Sequence, residues 1–186
     1  MLRKNDTYPT EFAKWYSLIT THRNFSSDIS ELISSYRLND SNLLDFGCGN
    51  GAHLSLLEKS KLSINLHGYD PSKGFSNIWN QKNLSKINFH NKLEDLDLKF
   101  DYVISWGEPL NFVNPKDLNS TIQSLKLLSN KNSTWIFEIW NPGYVNFQNI
   151  KPKTRSFNLS NPIGEVNAIK RICTPKLTVY EDSSKT

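Results

Sequence analysis

The sequence contains little cysteine and no long apolar run. Its 186 residues include two cysteines, Cys48 and Cys173, which form no CxxC pair and are too few for a disulfide framework. No window approaches the roughly 18 apolar residues of a membrane-spanning helix, and the first residues, MLRKNDTYPTEF, lack the apolar segment of a signal peptide. These absences predict a cytoplasmic chain with no membrane partner.

Basic residues are in slight excess but are not clustered. The net charge is +4, from 22 Lys and Arg against 18 Asp and Glu, and the cations are scattered along the chain. A nucleic-acid-binding surface needs a basic stripe that follows the phosphates, so no nucleic-acid partner is expected. His53, His67 and His90 lack the spacing of metal ligands, and no metal is expected. Nothing in the sequence indicates an oligomeric state.

Strand-like and helix-like segments alternate through most of the chain. Aromatic residues make up 12% of the sequence, which argues against disorder and supports one folded core. Apolar residues at helical spacing predict two helices between residues 10 and 36. The later alternation of strands and helices predicts an α/β, Rossmann-like, doubly wound and mostly parallel sheet. The predicted strands are NLLDFG, SINLHGYD, KINFH, FDYVISW and STWIFEIWN.

The chain is interpreted as one domain, residues 1–186, because no repeat or low-complexity linker divides it. Residues 1–40 form the expected N-terminal helical cap, 41–141 the core, and 142–186 a C-terminal loop and hairpin. The alternation stops after Asn141, and the residues from there to Pro162 have the composition of a loop. The following EVNAIKRICTPKLTVYED predicts an antiparallel hairpin around Thr174-Pro175-Lys176.

A glycine-rich stretch joins the first predicted strand to the helix after it. In LLDFGCGNGAHLSLL, glycines stand at positions 47, 49 and 51, a GxGxG pattern. A strand-to-helix turn of a parallel sheet lies at the carboxyl edge, where ligands bind, and glycine lets a ligand approach the bare backbone. The dinucleotide pattern GxGxxG has its third glycine one place later, so the match to nicotinamide enzymes is imperfect. A tight turn with no ligand is the structural alternative.

Two acids accompany this turn. Asp70 ends the second predicted strand, where a carboxylate accepts hydrogen bonds from the two hydroxyls of a ribose. Asp45 lies inside the otherwise apolar first strand, where a carboxylate is costly without a partner. It could anchor the N–H groups of the turn, or accept from a ligand ammonium through water.

Taken in order, these segments resemble the motifs of class I S-adenosylmethionine-dependent methyltransferases. LLDFGCGNG resembles their first motif, HGYDPS the second, FDYVISWGEPLNFV the fourth-strand motif and STWIFEIWNP the fifth strand. The likeness covers residues 10–145 and is closest to small-molecule members such as amino-sugar N-methyltransferases, through WYSLITTHRNFSSDISELI, GAHL and EIWNP. The resemblance implies the class I methyltransferase fold, S-adenosyl-L-methionine as cofactor, and in-line methyl transfer to a small-molecule N or O acceptor.

The same resemblance implies roles for individual residues. The glycine turn would pass under the methionine part of the cofactor, with Asp45 near its amino group. Asp70 would take the ribose hydroxyls, Pro71 would pack on the adenine, and the backbone N–H of Leu93 would meet the adenine ring. The implied cofactor-binding residues are Asp45, Gly47, Cys48, Gly49, Gly51, Asp70, Pro71, Leu93, Ser105 and Trp106.

Three features depart from the resembling enzymes. Lys92 stands where many of them carry an acid that binds the adenine amino group. Arg23-Asn24-Phe25 stands where the sugar enzymes often have Lys-Asp-Tyr. Those enzymes also continue with further antiparallel strands and a helix beyond the point that corresponds to Thr186, so a truncated fragment and a trimmed natural variant both remain open.

Two residues are the candidate catalytic groups. Glu108 lies just past the fourth strand and is the candidate carboxylate that orients the substrate or accepts its proton, with a loop cap as the structural alternative. Tyr16 comes from the N-terminal helices, which in the resembling enzymes close over the site. Trp106 could face the sulfonium through a cation–π contact, or simply pack beneath the loop. Asn111, Asn141 and His22 are weaker candidates.

Other functions compete with small-molecule methylation. Enzymes that methylate base amines often carry (N/D)PP(Y/F) after the fourth strand to hold a flipped base, and this chain has SWGEP there. A domain that binds the cofactor without catalysis is a further alternative, which Lys92 and the short C-terminal part favour. A nicotinamide-dependent enzyme is the last.

Overall fold

The computed structural model describes residues 10–20, 24–81, 86–138, 153–155 and 171–173. The chain divides into two compact units, Met1–Trp140 and Asn141–Thr186. The helices of the first unit are α1 (Thr10–Thr20), α2 (Ser26–Ser35), α3 (Ala52–Lys59), α4 (Lys73–Trp79) and α5 (Pro115–Leu127). Its strands are β1 (Ser41–Phe46), β2 (Ile64–Tyr69), β3 (Ile87–His90), β4 (Phe100–Ser105) and β5 (Ser129–Phe137).

The five strands of the first unit form one parallel sheet. Their order is β3-β2-β1-β4-β5, and every neighbouring pair is parallel. The chain winds outward from β1 to β3 and then crosses back to place β4 on the other side of β1. The carboxyl ends of β1 and β4 therefore flank a topological switch point, where open α/β sheets bind ligands. The predicted Rossmann-like, doubly wound sheet is confirmed.

Both faces of the central strand are covered. Leu43 packs in one core cluster with Leu32 of α2 and Leu54 of α3, whereas Leu44 packs in the other with Leu125 of α5. This follows from the period of two in a β-strand, which sends neighbouring side chains to opposite faces. All four residues from Leu43 to Phe46 are buried, so the strand reads as a nearly continuous apolar run.

The last strand of the sheet begins earlier than its sequence predicts. Apolar residues suggested a start at Ser133, but β5 begins at Ser129, and Ser129 pairs with Phe100. The register shifts between Phe100 and Tyr102, because Tyr102 pairs with Thr134. The early part of this edge strand is polar and exposed, so it carries no hydrophobic pattern.

The C-terminal unit contains an antiparallel pair that differs from the predicted hairpin. Strand β7 (Arg171–Cys173) pairs with β6 (Lys153–Arg155), a segment that the sequence predicted to be loop. Strand β6 consists of only Lys, Thr and Arg, so it is too short and too polar to show an alternating hydrophobic pattern, and for this reason the sequence predicted a loop there. The segment after Thr174, predicted to be the second strand of the hairpin, lies outside the described residues.

In the described part of the chain, no helix has both the length and the apolar character that crossing a bilayer requires.

Candidate functional site

The glycine-rich stretch forms a tight turn between β1 and α3. Gly47 and Gly49 have φ of +78° and +53°, in the left-handed region that side chains avoid. The N–H groups of Gly47 and Cys48 both donate to the Tyr69 carbonyl, at 2.7 and 3.0 Å, so the turn is fastened to the end of β2. A Cβ on Gly47 would overlap the ring of Pro109. Glycine is therefore required at position 47 by both conformation and space.

Asp70 follows directly after β2 and holds the turn with its side chain. One carboxylate oxygen accepts from the Gly49 N–H at 3.1 Å and the other from the Ser72 N–H at 2.9 Å. The residue is 5% exposed. Burial raises the pKa of Asp70, and the hydrogen bonds from Ser72 and Gly49 act in the opposite direction. Each carboxylate oxygen can accept more than one hydrogen bond, so both remain able to receive a ligand hydroxyl.

The carbonyl of Gly49 is held as well as its N–H. Its carbonyl accepts from Trp79 Nε1 at 2.8 Å, and Trp79 is buried. The Trp79 ring stacks on Phe89 with centroids 4.6 Å apart and planes 12° apart. Asp70 after β2 and Trp79 on α4 thus hold both backbone groups of Gly49. The sequence analysis did not identify Trp79, because nothing local to it indicates a partner thirty residues earlier.

Asp45 lies behind the turn and is 1% exposed. Burial, and secondarily the charge of Asp70, raises the pKa of Asp45 to about 8. Its Oδ2 has no hydrogen-bond partner among the described residues. A buried polar atom without a partner is costly, which makes Asp45 the candidate to receive a donor from a ligand or from water.

Two cavities meet at the glycine turn. The larger, of about 630 Å³, is lined by Asp70, Pro71 and Lys92 together with the loop that follows β4. The smaller, of about 430 Å³, is lined by residues of α1, α2, α3 and the end of β5. The two share a wall made of Tyr16, Gly47, Gly49, Trp106 and Gly107.

The structure brings most of the predicted site residues to these cavities. The residues that line one or both of them are Tyr16, Gly47, Cys48, Gly49, Asp70, Pro71 and Trp106. Gly51 instead precedes α3, where a Cβ would press against Phe89. His22 and Asn141 lie outside the described residues, as does the side chain of Asn111. The cofactor and catalytic roles of all these residues stay predictions.

Asp45 lies in neither cavity wall, and three further predicted residues likewise lie beside the cavities. Among the described lining residues, Leu93, Ser105 and Glu108 do not occur, although Lys92, Trp106 and Pro109 do. Ser105 is fully buried at the end of β4, and Leu93 begins a short 3-10 turn. Glu108 has φ of +62° and precedes the 3-10 turn Pro109–Phe112. The catalytic role predicted for Glu108 therefore needs a direct test.

Three ionisable residues of the smaller cavity were not identified as functional from the sequence. Asp28 comes from α2, His53 from α3 and Glu138 from the residue after β5. Asp28 Oδ2 lies 3.8 Å from His53 Nε2, and Glu138 Oε2 accepts from the Gly107 N–H at 2.7 Å. None of the three carried a local indication of this place, since Glu138 fell inside the predicted fifth strand STWIFEIWN, whereas β5 ends at Phe137.

The described residues contain no group of three or more His, Cys, Asp or Glu that could hold a metal ion. The walls of the two cavities offer backbone N–H groups, carboxylates and aromatic rings. Such a combination suits an organic ligand with hydroxyl and apolar parts.

Comparison with known proteins places this geometry in context. The sequence model of a family described as a methyltransferase domain matches residues 17–172. No protein of curated function matches the chain at the stringency applied.

Three solved structures illustrate the structural likeness. CalS10 of Micromonospora echinaspora, an amino pentose methyltransferase with bound SAM, matches with a TM-score of 0.57, 17% identity and coverage of 76% of this chain and 61% of its own. DesVI of Streptomyces venezuelae has a TM-score of 0.61, 19% identity and coverage of 81% and 67%. The sugar N-methyltransferase KedS8 of Streptoalloteichus matches with a TM-score of 0.57, 19% identity and coverage of 78% of this chain and 62% of its own. At these identities the likeness establishes the fold alone, and the chain spans only 61% of the length of CalS10.

Proposed function

We propose the function of this chain on one established premise: it belongs to the family of methyltransferase domains, whose model matches residues 17–172 of its 186. The proposed activity is S-adenosyl-L-methionine-dependent transfer of a methyl group to a small-molecule acceptor, at nitrogen or oxygen. The observation that carries this proposal is the pair of cavities that meet at the glycine turn. One cavity suits the cofactor and the other the acceptor, with the reacting groups at the shared wall.

The residues around the larger cavity fit the adenosyl part of the cofactor. Its volume of about 630 Å³ is in the range of small-ligand pockets. A Cβ built on Gly107, which lines both cavities, would meet no atom within 4 Å, so open space lies over the shared wall. Asp70 would hold the ribose, Pro71 would lie against the adenine, and the Gly47–Gly49 backbone would carry the methionine part. Asp45, buried behind this turn, would lie near the amino group without lining the cavity.

The chemistry required of the protein is modest. A sulfonium supplies a methyl group that is already activated for displacement, so the protein must orient the acceptor and exclude water. Trp106 and Tyr16 both lie in the wall that the two cavities share. Aromatic faces favour a cationic group such as a sulfonium over a neutral one. An acceptor hydroxyl would in addition need a base.

Solved relatives support a small acceptor. The names of CalS10 and KedS8 identify them as an amino pentose methyltransferase and a sugar N-methyltransferase. A further match is the plantazolicin methyltransferase BpumL, solved with a desmethyl analogue of that compound. We extend to this chain only what these share, a small-molecule acceptor. We also propose that the protein acts in the reducing cytoplasm, and the free buried thiol of Cys48 supports this location.

Transfer of a labelled methyl group tests the activity. The purified chain is incubated with methyl-labelled S-adenosyl-L-methionine and a panel of small amines and alcohols, and labelled product is measured. The proposal expects transfer to a subset of the panel. Cofactor binding without transfer to any acceptor, including nucleic acid, would favour a non-catalytic binding domain instead.

Two variants test the candidate catalytic residues with the same measurement. Glu108→Gln should lower turnover if its carboxylate orients the acceptor or takes its proton, and unchanged turnover would exclude that role. Tyr16→Phe keeps the ring in the shared wall and removes the hydroxyl, so it separates packing from hydrogen bonding.

A further inference from the structure

The part of the larger cavity that would receive the adenine base lies away from the smaller cavity. The glycine turn and Trp106 belong to the wall that both cavities share, and Asp70 is hydrogen-bonded to the turn. A cofactor with its methionine part on the turn and its ribose at Asp70 therefore extends its base into the rest of the larger cavity. That part is lined by residues after β3, the loop after β4 and the first turns of α5.

Apolar side chains line this part of the cavity. Phe46, at the end of β1, and Tyr69, at the end of β2, stack with ring centroids 5.2 Å apart and planes 26° apart. Pro71, Phe112 and Val113 also line it. The Phe112 side chain belongs to a residue that is 52% exposed, so a ligand that covers it removes apolar surface from water. A flat aromatic base suits such a lining.

Two side chains of opposite charge stand in the same part. Lys92 follows β3 and precedes the 3-10 turn Leu93–Asp95, whereas Asp117 lies in the first turn of α5. Together with Asp70, they are the charged residues that line the larger cavity in the described part of the chain. No salt bridge joins these two described side chains, so each can still pair with a ligand.

The edge of adenine offers one partner for each of these charges. Its N6 amine is a hydrogen-bond donor and its N7 is an acceptor, whereas a 6-oxo purine presents acceptors at both O6 and N7. An ionised carboxylate only accepts and a lysine ammonium only donates. A carboxylate beside position 6 therefore distinguishes an adenine from a 6-oxo purine, and an ammonium beside N7 does not.

We propose that Asp117 accepts a hydrogen bond from the N6 amine of the cofactor and that Lys92 donates to N7, so that Asp117 selects the base. The inference rests on the proposed function, whose cofactor it uses, and adds the residues that recognise its adenine. It places the acceptor on α5, whereas many of the resembling enzymes carry an acid at the position of Lys92. An acid in the first turn also stabilises a helix, which is the structural alternative for Asp117.

Calorimetric titration with two ligands tests this recognition. S-Adenosylhomocysteine carries the N6 amine, and S-inosylhomocysteine carries a 6-oxo group in its place with the same ribose and homocysteine. We expect the adenosyl ligand to bind roughly tenfold more tightly, because the inosyl ligand loses a charge-assisted hydrogen bond. Equal Kd values would overturn the inference. Failure of S-adenosylhomocysteine to bind would overturn the proposed function, and this inference with it.

Variants of Asp117 separate recognition of the base from helix stability. Asp117→Asn should bring the two Kd values within about threefold, because an amide can donate to O6 as well as accept from N6. Asp117→Glu keeps the carboxylate and should keep the preference. Asp28→Asn is the matched control, since Asp28 is the first-turn acid of α2 and lines the smaller cavity, so the preference should be unchanged. An unchanged preference in Asp117→Asn would overturn the inference and leave Asp117 the structural role alone.

A variant of Lys92 tests the other half of the pair. Lys92→Met should weaken both ligands by a similar factor, roughly threefold, because N7 is an acceptor in both bases. Lys126→Met, in the last turn of α5 and outside the cavity lining, should leave both Kd values unchanged. Unchanged affinity of Lys92→Met for both ligands would overturn the contact proposed for Lys92.

Discussion

The two cavities that meet at the glycine turn are built in different ways. One wall of the larger is the turn after β1, which is hydrogen-bonded to the end of β2 and to Asp70, and side chains of α4, the loop after β4 and α5 complete its lining. The smaller depends on side chains from α1, α2, α3, the loop after β4 and the end of β5. The glycine turn and Asp70 in the larger cavity follow from local sequence, whereas the ionisable side chains of the smaller cavity meet only once distant elements have assembled.

The largest effect on the larger cavity is expected from adding a side chain to the glycine turn. Gly47→Ala would place a Cβ on the Pro109 ring at φ of +78°. Strain and overlap together should cost about 2–5 kcal/mol of unfolding free energy and abolish measurable S-adenosylhomocysteine binding. Urea denaturation and calorimetric titration measure the two effects.

Gly107→Ala is the matched control for that substitution. Gly107 has a similar φ of +80°, but its Cβ would meet nothing within 4 Å. Gly107→Ala should therefore lower the free energy of unfolding only by the backbone strain at positive φ, about 1–2 kcal/mol. Equal losses in the two variants would contradict the packing of Pro109 against the turn.

Removing the charge of Asp70 should have the next largest effect. Asp70→Asn keeps the side-chain size but weakens the bonds to Gly49 and Ser72 and any bond to a ribose. Charge-assisted hydrogen bonds contribute about 1.5–3 kcal/mol, so the Kd of S-adenosylhomocysteine should rise roughly 10- to 100-fold. Asp97→Asn, at an exposed position away from both cavities, should bind normally. Normal binding by Asp70→Asn as well would remove this residue from the ligand site.

Removing the hydrogen bond from Trp79 to Gly49 should have a smaller effect on affinity, and it distinguishes a residue that positions the turn from one that only stabilises the fold. Trp79→Phe keeps an aromatic ring against Phe89 and removes the donor to the Gly49 carbonyl. It should weaken S-adenosylhomocysteine binding by roughly three- to tenfold. Trp135→Phe is the matched control, because it removes the hydrogen bonds that Trp135 Nε1 donates to Ser129 and Ser133 in β5. That variant should lose about as much unfolding free energy as Trp79→Phe but keep its affinity for S-adenosylhomocysteine. Equal affinity loss in both variants would reduce Trp79 to a packing residue.

Asp45 should have the smallest effect on affinity and a distinct effect on pH dependence. Because the pKa of Asp45 is about 8 in the folded chain and near 3.8 in an unfolded one, the folded state holds a proton that the unfolded state has released. Stability should therefore fall as pH rises from about 4 to about 8. Thermal melting across this range should be flatter in Asp45→Asn, with S-adenosylhomocysteine affinity within about threefold of wild type. An unchanged pH slope would contradict the buried, protonated state of Asp45.

The sequence was sufficient for the sheet and for the turn. Continuous apolar runs marked β1 and β4, and the alternation of strands and helices predicted that the strands run parallel, whereas their order is known from the structure. The position of Asp70 beside the turn followed from the rule that neighbouring parallel strands end at the same edge. These inferences succeeded because each needs only local pattern and one general rule of topology.

The smaller cavity could not be derived from the sequence in the same way. Asp28 and His53 lie on different helices, and their approach depends on how α2 packs against the start of α3. Glu138 reaches the shared wall because β5 pairs next to β4. The polar strands β6 and the start of β5 were missed because they lack a hydrophobic period. Long-range packing and exposed polar strands are the two sources of these errors.

The most direct test of the account is a calorimetric titration of the purified chain with S-adenosyl-L-methionine, S-adenosylhomocysteine and, for comparison, a nicotinamide dinucleotide. The account predicts that both adenosyl ligands bind with one site per chain and that the dinucleotide does not. Binding of the dinucleotide alone, or of none of the three, would contradict an adenosyl site at the glycine turn.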